Sequence, residues 1–408
     1  MPTERRNKQC RRFLRLLAAA ALLAPVFFAP ATPACAQWDI EESHSTASLR
    51  GVWSVGAGIA WASGANGTVL RTEDGGYLWQ TCAMPPGAEK LDFRGIRGFD
   101  ANTALVMSSG FGDLSRLYLT TDGCTSWKLL LANSDRDAFW DALVAADPLT
   151  IMILGDPIDG AFQIQQSKDG GQTWTLDKTQ PSWPREAAFA ASNSALSIDW
   201  DNGPAIFGTG SPAGARIYRD KCDPCKGSNL AWSAAPVPWF PWGSSAGIFA
   251  IHQSTWDHIV AVGGDYQEPE DATNNAAWSY DGGRSWHRSE TWPHGYRSAV
   301  DYDKTDNYWI TVGPNGTDIS RNDGRNWQPL TPSPAEPPDA DKNWNALSLP
   351  FVVGSKGRIG RLRPIDFSKL PEVTPRSEPD KPQEDKDKPQ GEKSNPFNRL
   401  KKVFKKPS

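Results

Sequence analysis

The sequence is poor in the side chains that most often carry chemistry. It has only 5 His, 6 Cys and 4 Met in 408 residues. With no dense Cys/His cluster, a zinc enzyme is excluded as the first reading, and no metal or cofactor is expected. Charged residues are 22% of the chain, below the usual figure of about 25%. The formal net charge is −4, so the basic excess of a nucleic-acid binder is missing. Past the N-terminus, no apolar run is long enough to cross a bilayer. What abounds is Trp (19), Gly (36) and Pro (33). That balance excludes a helical bundle and reads as many short strands joined by turns.

Residues 1–36 read as a secretory signal peptide. Arg5, Arg6, Lys8, Arg11, Arg12 and Arg15 precede an apolar run over residues 16–31, and Ala34-Cys35-Ala36 is a small-residue cleavage site before Gln37. Export to the periplasm or the extracellular space is the expectation, and with it an oxidising compartment. Cys82, Cys124, Cys222 and Cys225 then remain. A lone C-x-x-C cannot fill a four-ligand zinc site, so Cys222 and Cys225 are expected to form a disulfide that staples a turn. Cys82 and Cys124 fall in neighbouring repeats, and the sequence leaves their pairing open.

One motif recurs five times, the Asp-box S/T-x-D-x-G-x-x-W. Its copies centre on Asp74, Asp122, Asp169, Asp281 and Asn322 and end at Trp79, Trp127, Trp174, Trp286 and Trp327. The Asp or Asn oxygen is expected to accept backbone N–H bonds inside a hairpin turn. Gly supplies the positive φ, and Trp covers the turn. The Trp spacings are 48, 47, 112 and 41, and the long one spans about two repeats.

A second register gives the repeat number. A small residue followed by an apolar one opens each repeat at Gly51-Val52, Gly95-Ile96, Ala142-Leu143, Ala188-Phe189, Gly247-Ile248, Ala299-Val300 and Ala346-Leu347. Seven four-stranded units of about 45 residues predict an all-β, seven-bladed β-propeller over residues 37–362. The seventh unit lacks an Asp-box and an outer strand. Residues near Trp38 and Glu41 are expected to supply that strand and close the ring, which hides sheet edges. In the fourth unit the Cys222/Cys225 segment stands where an Asp-box would be.

Residues 363–408 are rich in Pro, Lys, Glu and Asp and are expected to be disordered. They hold 12 Lys/Arg and 8 Asp/Glu, against 25 and 38 in residues 37–362. The last segment, with Phe397, Leu400 and Phe404 among basic residues, is amphipathic at helical spacing. Attachment of this tip to an anionic membrane surface is one expectation, and a solvated tail the other.

Inner strands crowd a propeller axis. The polar residues just ahead of the small–apolar pairs are therefore expected to ring one channel end: Arg50, Arg94, Asp141, Glu186, Ser245, Arg297 and Asn345. Three Arg on an acidic body would attract an anion, such as a carboxylate. The loops carrying Asp156, Asp159, Asp265 and Tyr266 fit a bound cation or sugar, and fit plain turn chemistry equally.

The spacing Gly64-x-x-Gly67-x-x-x-x-Thr72-x-Asp74-Gly75-Gly76-x-x-Trp79, largely repeated from Gly313 to Ser320, resembles the photosystem II stability/assembly factor family. The resemblance covers residues 37–362, with long insertions at 211–243 and 265–275 as departures. It implies a seven-bladed lumenal or periplasmic propeller that binds a client protein as an assembly scaffold, without catalysis. The same boxes are similar to those of sialidases and other propeller glycosidases, which gives the rival reading of a glycoside hydrolase or glycan-binding module. That resemblance implies three Arg gripping a carboxylate, a Tyr nucleophile with a Glu partner, and an Asp acid, here Arg50, Arg94, Arg297, Tyr296, Glu186 and Asp141. Phe93-Arg94-Gly95-Ile96 lacks the Pro of the sialidase motif Phe-Arg-Ile-Pro. Tyr296 and Arg297 are adjacent, and adjacent strand residues point to opposite faces, so one pocket is not expected to hold both.

Overall fold

The computed structural model describes residues 37–200, 203–221, 232–332 and 336–370. Among the described residues the strands form seven antiparallel four-stranded sheets. Blades 1 to 7 have as inner strands Leu49–Gly56, Phe93–Gly98, Trp140–Ala145, Leu196–Ile198, Ala246–Gln253, Ala299–Asp303 and Trp344–Ser348. Six blades are simple meanders. In the seventh, strand Trp38–Glu41 pairs outside Ile359–Leu362, with Trp38 opposite Leu362 and Glu41 opposite Ile359. The ring is thus closed by the N-terminal strand, as the missing outer strand predicted. Trp38 is buried against Trp344, and its indole N–H donates to Thr317 Oγ1 at 3.2 Å.

The cores lie between blades. Trp61 and Val69 of blade 1 pack on Phe93, Ile96, Val106 and Tyr118 of blade 2 in one such layer. Burying a large apolar side chain of this kind contributes roughly 1.5–3 kcal/mol. Because every blade shares a layer with each neighbour, closure secures the last layer as well as the last strand.

The five repeated turns fold by one hydrogen-bond scheme. In blade 1 the Thr72 hydroxyl accepts from the Gly76 N–H at 3.1 Å and donates to Asp74 Oδ1 at 2.9 Å. Asp74 Oδ1 accepts the Leu78 N–H at 3.0 Å. The same pattern holds around Asp122, Asp169, Asp281 and Asn322. Bonds from Thr173 lower the Asp169 carboxyl to about 2. Cys124 stands at the glycine position of its turn with φ 63 and is bonded to Cys82, which joins the outer edge of blade 1 to the blade 2 turn.

Two registers differ from expectation. A bulge precedes the small residue at Gly51, Gly95, Ala142 and Ala346, and in blade 5 it precedes Ala250, not Gly247. In blade 4 the inner strand begins at Leu196, so Ala195-Leu196 is the pair and Ala188-Phe189 lies ahead of the strand. Crowding explains the small residue: a Cβ on Gly51 would stand 2.8 Å from Ser63 Oγ and 2.9 Å from Arg94 O. The body also runs past Leu362. Ile365, Phe367 and Leu370 pack on the blade 6–7 core, and the Arg363 side chain donates to Asp39 at 2.6 Å, so residues 363–370 are ordered. Apolar side chains spaced within a Pro-rich stretch supply that contact. Cys222, Cys225, residues 1–36 and residues 371–408 lie outside the described residues.

Candidate functional site

The axis is blocked. Residues 190–194, the extra segment ahead of the blade 4 inner strand, lie across it and bond to four other blades. Arg94 donates to Ala190 O at 2.9 Å, and Ser192 Oγ to Ser298 O at 2.5 Å. Asn193, at φ 66, exchanges side-chain bonds with the Leu143 backbone at 2.7 and 2.9 Å. The Ile251 N–H donates to Ser194 O at 2.8 Å. These bonds split the channel into two separate mouths.

At the mouth where the inner strands begin, Arg50, Arg94 and Asp141 come together. The bulge turns the residue before the small–apolar pair toward this end. Arg94 pairs with Asp92 at 2.8 Å. Arg50 is half-buried and its Nε has no hydrogen-bond partner. Burial, then the like charge of Arg94, lowers its pKa, and Asp92 and Tyr296 are its other electrostatic neighbours. Beside them stands an aromatic wall. Phe189 stacks on Phe249 at 3.8 Å between centroids, and Tyr296 meets Phe249 edge-on at 4.7 Å. Burial pushes the Tyr296 hydroxyl well above its ordinary range.

Two carboxyls complete this mouth. Asp141 is buried, and its Oδ2 has no partner. Burial and the neighbouring Asp156 push it well above the ordinary carboxylate range. Asp156 accepts the Ala188 N–H at 3.0 Å, and burial lifts it to about 7. Sequence reasoning missed Asp92, Phe189, Phe249 and the coupling of Asp156 to Asp141. Asp92 alone left a signal, a carboxylate two residues ahead of Arg94 in the sequence.

The other residues expected in the ring go elsewhere. Glu186 is buried in blade 4, paired with Arg216, and accepts from Thr209 at 2.6 Å and Tyr218 at 3.2 Å. Arg297 is fully buried in blade 6, where it donates to Asp318 at 2.8 Å, to Asn315 at 2.5 Å and to Tyr296 O at 2.8 Å. Burial would raise the Asp318 carboxyl, but Arg297 and His294 hold it below the usual range. Glu186 and Arg297 stand two places before the small residue their register was counted from, not one, and both lie ahead of the inner strand of their blade. Asn345 donates to Leu49 O at 2.7 Å and ties blade 7 to blade 1. Ser245 is buried, and its carbonyl accepts the Tyr266 N–H. The five turn residues, Asp74, Asp122, Asp169, Asp281 and Asn322, sit at the opposite end of the blades. Among the described residues no group of three or more His, Cys, Asp or Glu is placed to hold a metal ion, and no helix is long and apolar enough to cross a membrane.

No family model and no curated protein sequence matches the chain. Solved structures do. YCF48 bound to D1 peptide superposes with a TM-score of 0.55 at 16% identity, covering 80% of this chain and 96% of that one. YCF48 from Cyanidioschyzon merolae gives 0.54 at 16% identity, covering 80% and 99%. The WD40 repeats of RRP9 give 0.52 at 12% identity, covering 81% and 99%. At these identities the likeness is one of fold, and the fold is that of a YCF48-like β-propeller.

Proposed function

We propose that this chain is an exported, non-enzymatic scaffold whose Arg50/Arg94 mouth grips a carboxylate of a client protein, either an acidic side chain or a chain end. The observation that carries the reading is Arg50, a half-buried guanidinium beside a second arginine, with no hydrogen bond at Nε. A carboxylate there would answer the charge of Arg50, with Arg94 already paired to Asp92 beside it, and the Phe249 and Tyr296 rings would flank its apolar stem. A propeller of the same fold, YCF48, has been solved with a peptide bound, which supports a protein client. Export is supported by the Cys82–Cys124 bond. The sialidase alternative needs a Tyr–Glu pair beside the arginines. The Tyr–Glu pair that forms, Tyr218 with Glu186, is buried around Arg216 and closed to solvent.

The test is fluorescence anisotropy with a labelled acidic peptide bearing a free carboxyl terminus. Arg50→Ala and Arg94→Ala should each weaken binding about tenfold or more, consistent with a charge-assisted bond of roughly 1.5–3 kcal/mol. Unchanged affinity in both variants refutes the reading. So does hydrolysis of an aryl sialoside by the purified protein that Arg94→Ala abolishes.

A further inference from the structure

The other mouth, on the side of the repeated turns, opens into a cavity of about 230 Å³. All seven blades line it, and residues 192–194 of the blocking segment are among its walls. The residue after each small–apolar pair forms a ring here: Trp53, Arg97, Val144, Ser197, His252, Asp301 and Ser348. Nothing in propeller packing requires a charge at this position, and Val144 shows that an apolar residue serves.

Arg97 is the unusual member. Its guanidinium carbon lies 3.7 Å from the centroid of the Trp53 ring. Stacking of that kind uses the flat face and leaves the in-plane N–H groups free. It is half-buried, and among the described residues its Nε has no hydrogen-bond partner. Burial lowers its pKa to about 10, so it stays charged at neutral pH. A charge held out of water without a counterion is costly unless something pairs with it.

The opposite wall has the opposite sign. In a ring of seven, blade 2 faces blades 5 and 6. Asp301 of blade 6 is held by the Tyr302 and Leu349 N–H groups, both at 2.8 Å, with His252 Nε2 of blade 5 at 3.5 Å. Burial lowers the His252 pKa, so the imidazole is largely neutral at pH 7. Trp200, 37% exposed, offers a flat apolar face at the same cavity.

We propose that this cavity binds a small organic acid of monosaccharide or dipeptide size, with its carboxylate on the free edge of Arg97 and a hydroxyl or ammonium donor toward Asp301. The blocking segment separates this site from the Arg50/Arg94 mouth, so it stands independently of the client-binding reading.

Calorimetric titration of the full chain tests it with two probes, galacturonate and glycylglycine, and with galactose as the sugar lacking a carboxylate. One of the two acids should bind at one site per chain, and which one binds tells a sugar acid from a peptide. Arg97→Met, which keeps the stem on Trp53, should weaken that binding about tenfold or more. Arg50→Ala, at the other mouth and making no bond to the blocking segment among the described residues, should leave it unchanged. Failure of both acids to bind at millimolar concentration overturns the proposal. Equal binding by galactose and galacturonate overturns it without any variant, which covers the case of an Arg97→Met chain that does not fold.

Discussion

The Cys82–Cys124 bond allows a worked prediction, because two opposing terms meet at one residue. The bond closes a loop with a sequence separation of 42. Chain-entropy bookkeeping for such a loop gives a stabilisation of about 4 kcal/mol. Against it stands the backbone of Cys124, at φ 63, where the other four turns place Gly76, Gly171, Gly283 and Gly324 at positive φ. A side chain in that region costs about 1 kcal/mol or more. Cys82→Ser with Cys124→Ser should therefore lose about 4 kcal/mol, whereas Cys82→Ser with Cys124→Gly should lose about 3 kcal/mol. The two double variants share every other contact. The residue 124 N–H still reaches Thr120 Oγ1 at 3.1 Å, and the Ala83 N–H still reaches the residue 124 carbonyl at 3.1 Å. Urea unfolding followed by tryptophan fluorescence reads the order wild type, Gly variant, Ser variant. A Gly variant no more stable than the Ser variant, or a wild-type midpoint indifferent to reductant, refutes the reasoning.

Other outcomes follow from the buried charges and the ring. Asp156 has its folded pKa raised to about 7 from an ordinary 3.8, so its contribution to stability is full below about pH 4 and is lost as pH rises through 7. Asp156→Asn keeps an acceptor for the Ala188 N–H and should flatten the urea midpoint between pH 4 and 8. Arg297→Ala takes the guanidinium from the buried Asp318, leaving it its His294 bonds, and should cost about 3–5 kcal/mol by thermal melting, while Arg50→Ala should leave the melting temperature nearly unchanged. Asp169→Ala should lower the melting temperature more than Asp169→Asn, because Asn322 makes the same turn bonds with an amide. Deleting residues 37–41 uncovers the Ile359–Leu362 edge and should produce concentration-dependent association in sedimentation velocity.

Repetition made the fold legible. A turn that must bond its own backbone needs the same residues each time, so five copies could be aligned by eye, and the seventh blade announced its missing strand. The mouth was half legible. Arg50, Arg94 and Asp141 follow from a bulge that precedes the small residue in blades 1, 2 and 3. Glu186 was misplaced because the blocking segment, residues 190–194, pushes the blade 4 strand onward to Leu196, and nothing in its composition separates it from a strand start. In blade 5, Gly247-Ile248 imitates the pair that Ala250-Ile251 actually makes. Arg297 carried the right chemistry in the wrong place, because its partner Asp318 lies on another strand of the same blade. The second cavity left no motif, since Arg97, His252 and Asp301 are separated along the chain by whole blades.

Closure by the N-terminal strand also sets a calendar for the molecule. Trp38 and Leu362 are among the first and last residues of the body, and each is the other's partner. Six blades can form in order as the chain emerges, but the strand beginning at Trp38 has nowhere to go until Ile359–Leu362 arrives. A chain stopped short of that point keeps two raw edges at once, one at each end of an unfinished ring. The clasp therefore works as a completeness check: only a chain delivered whole can lock, and a partial one stays visibly open to proteases and quality control.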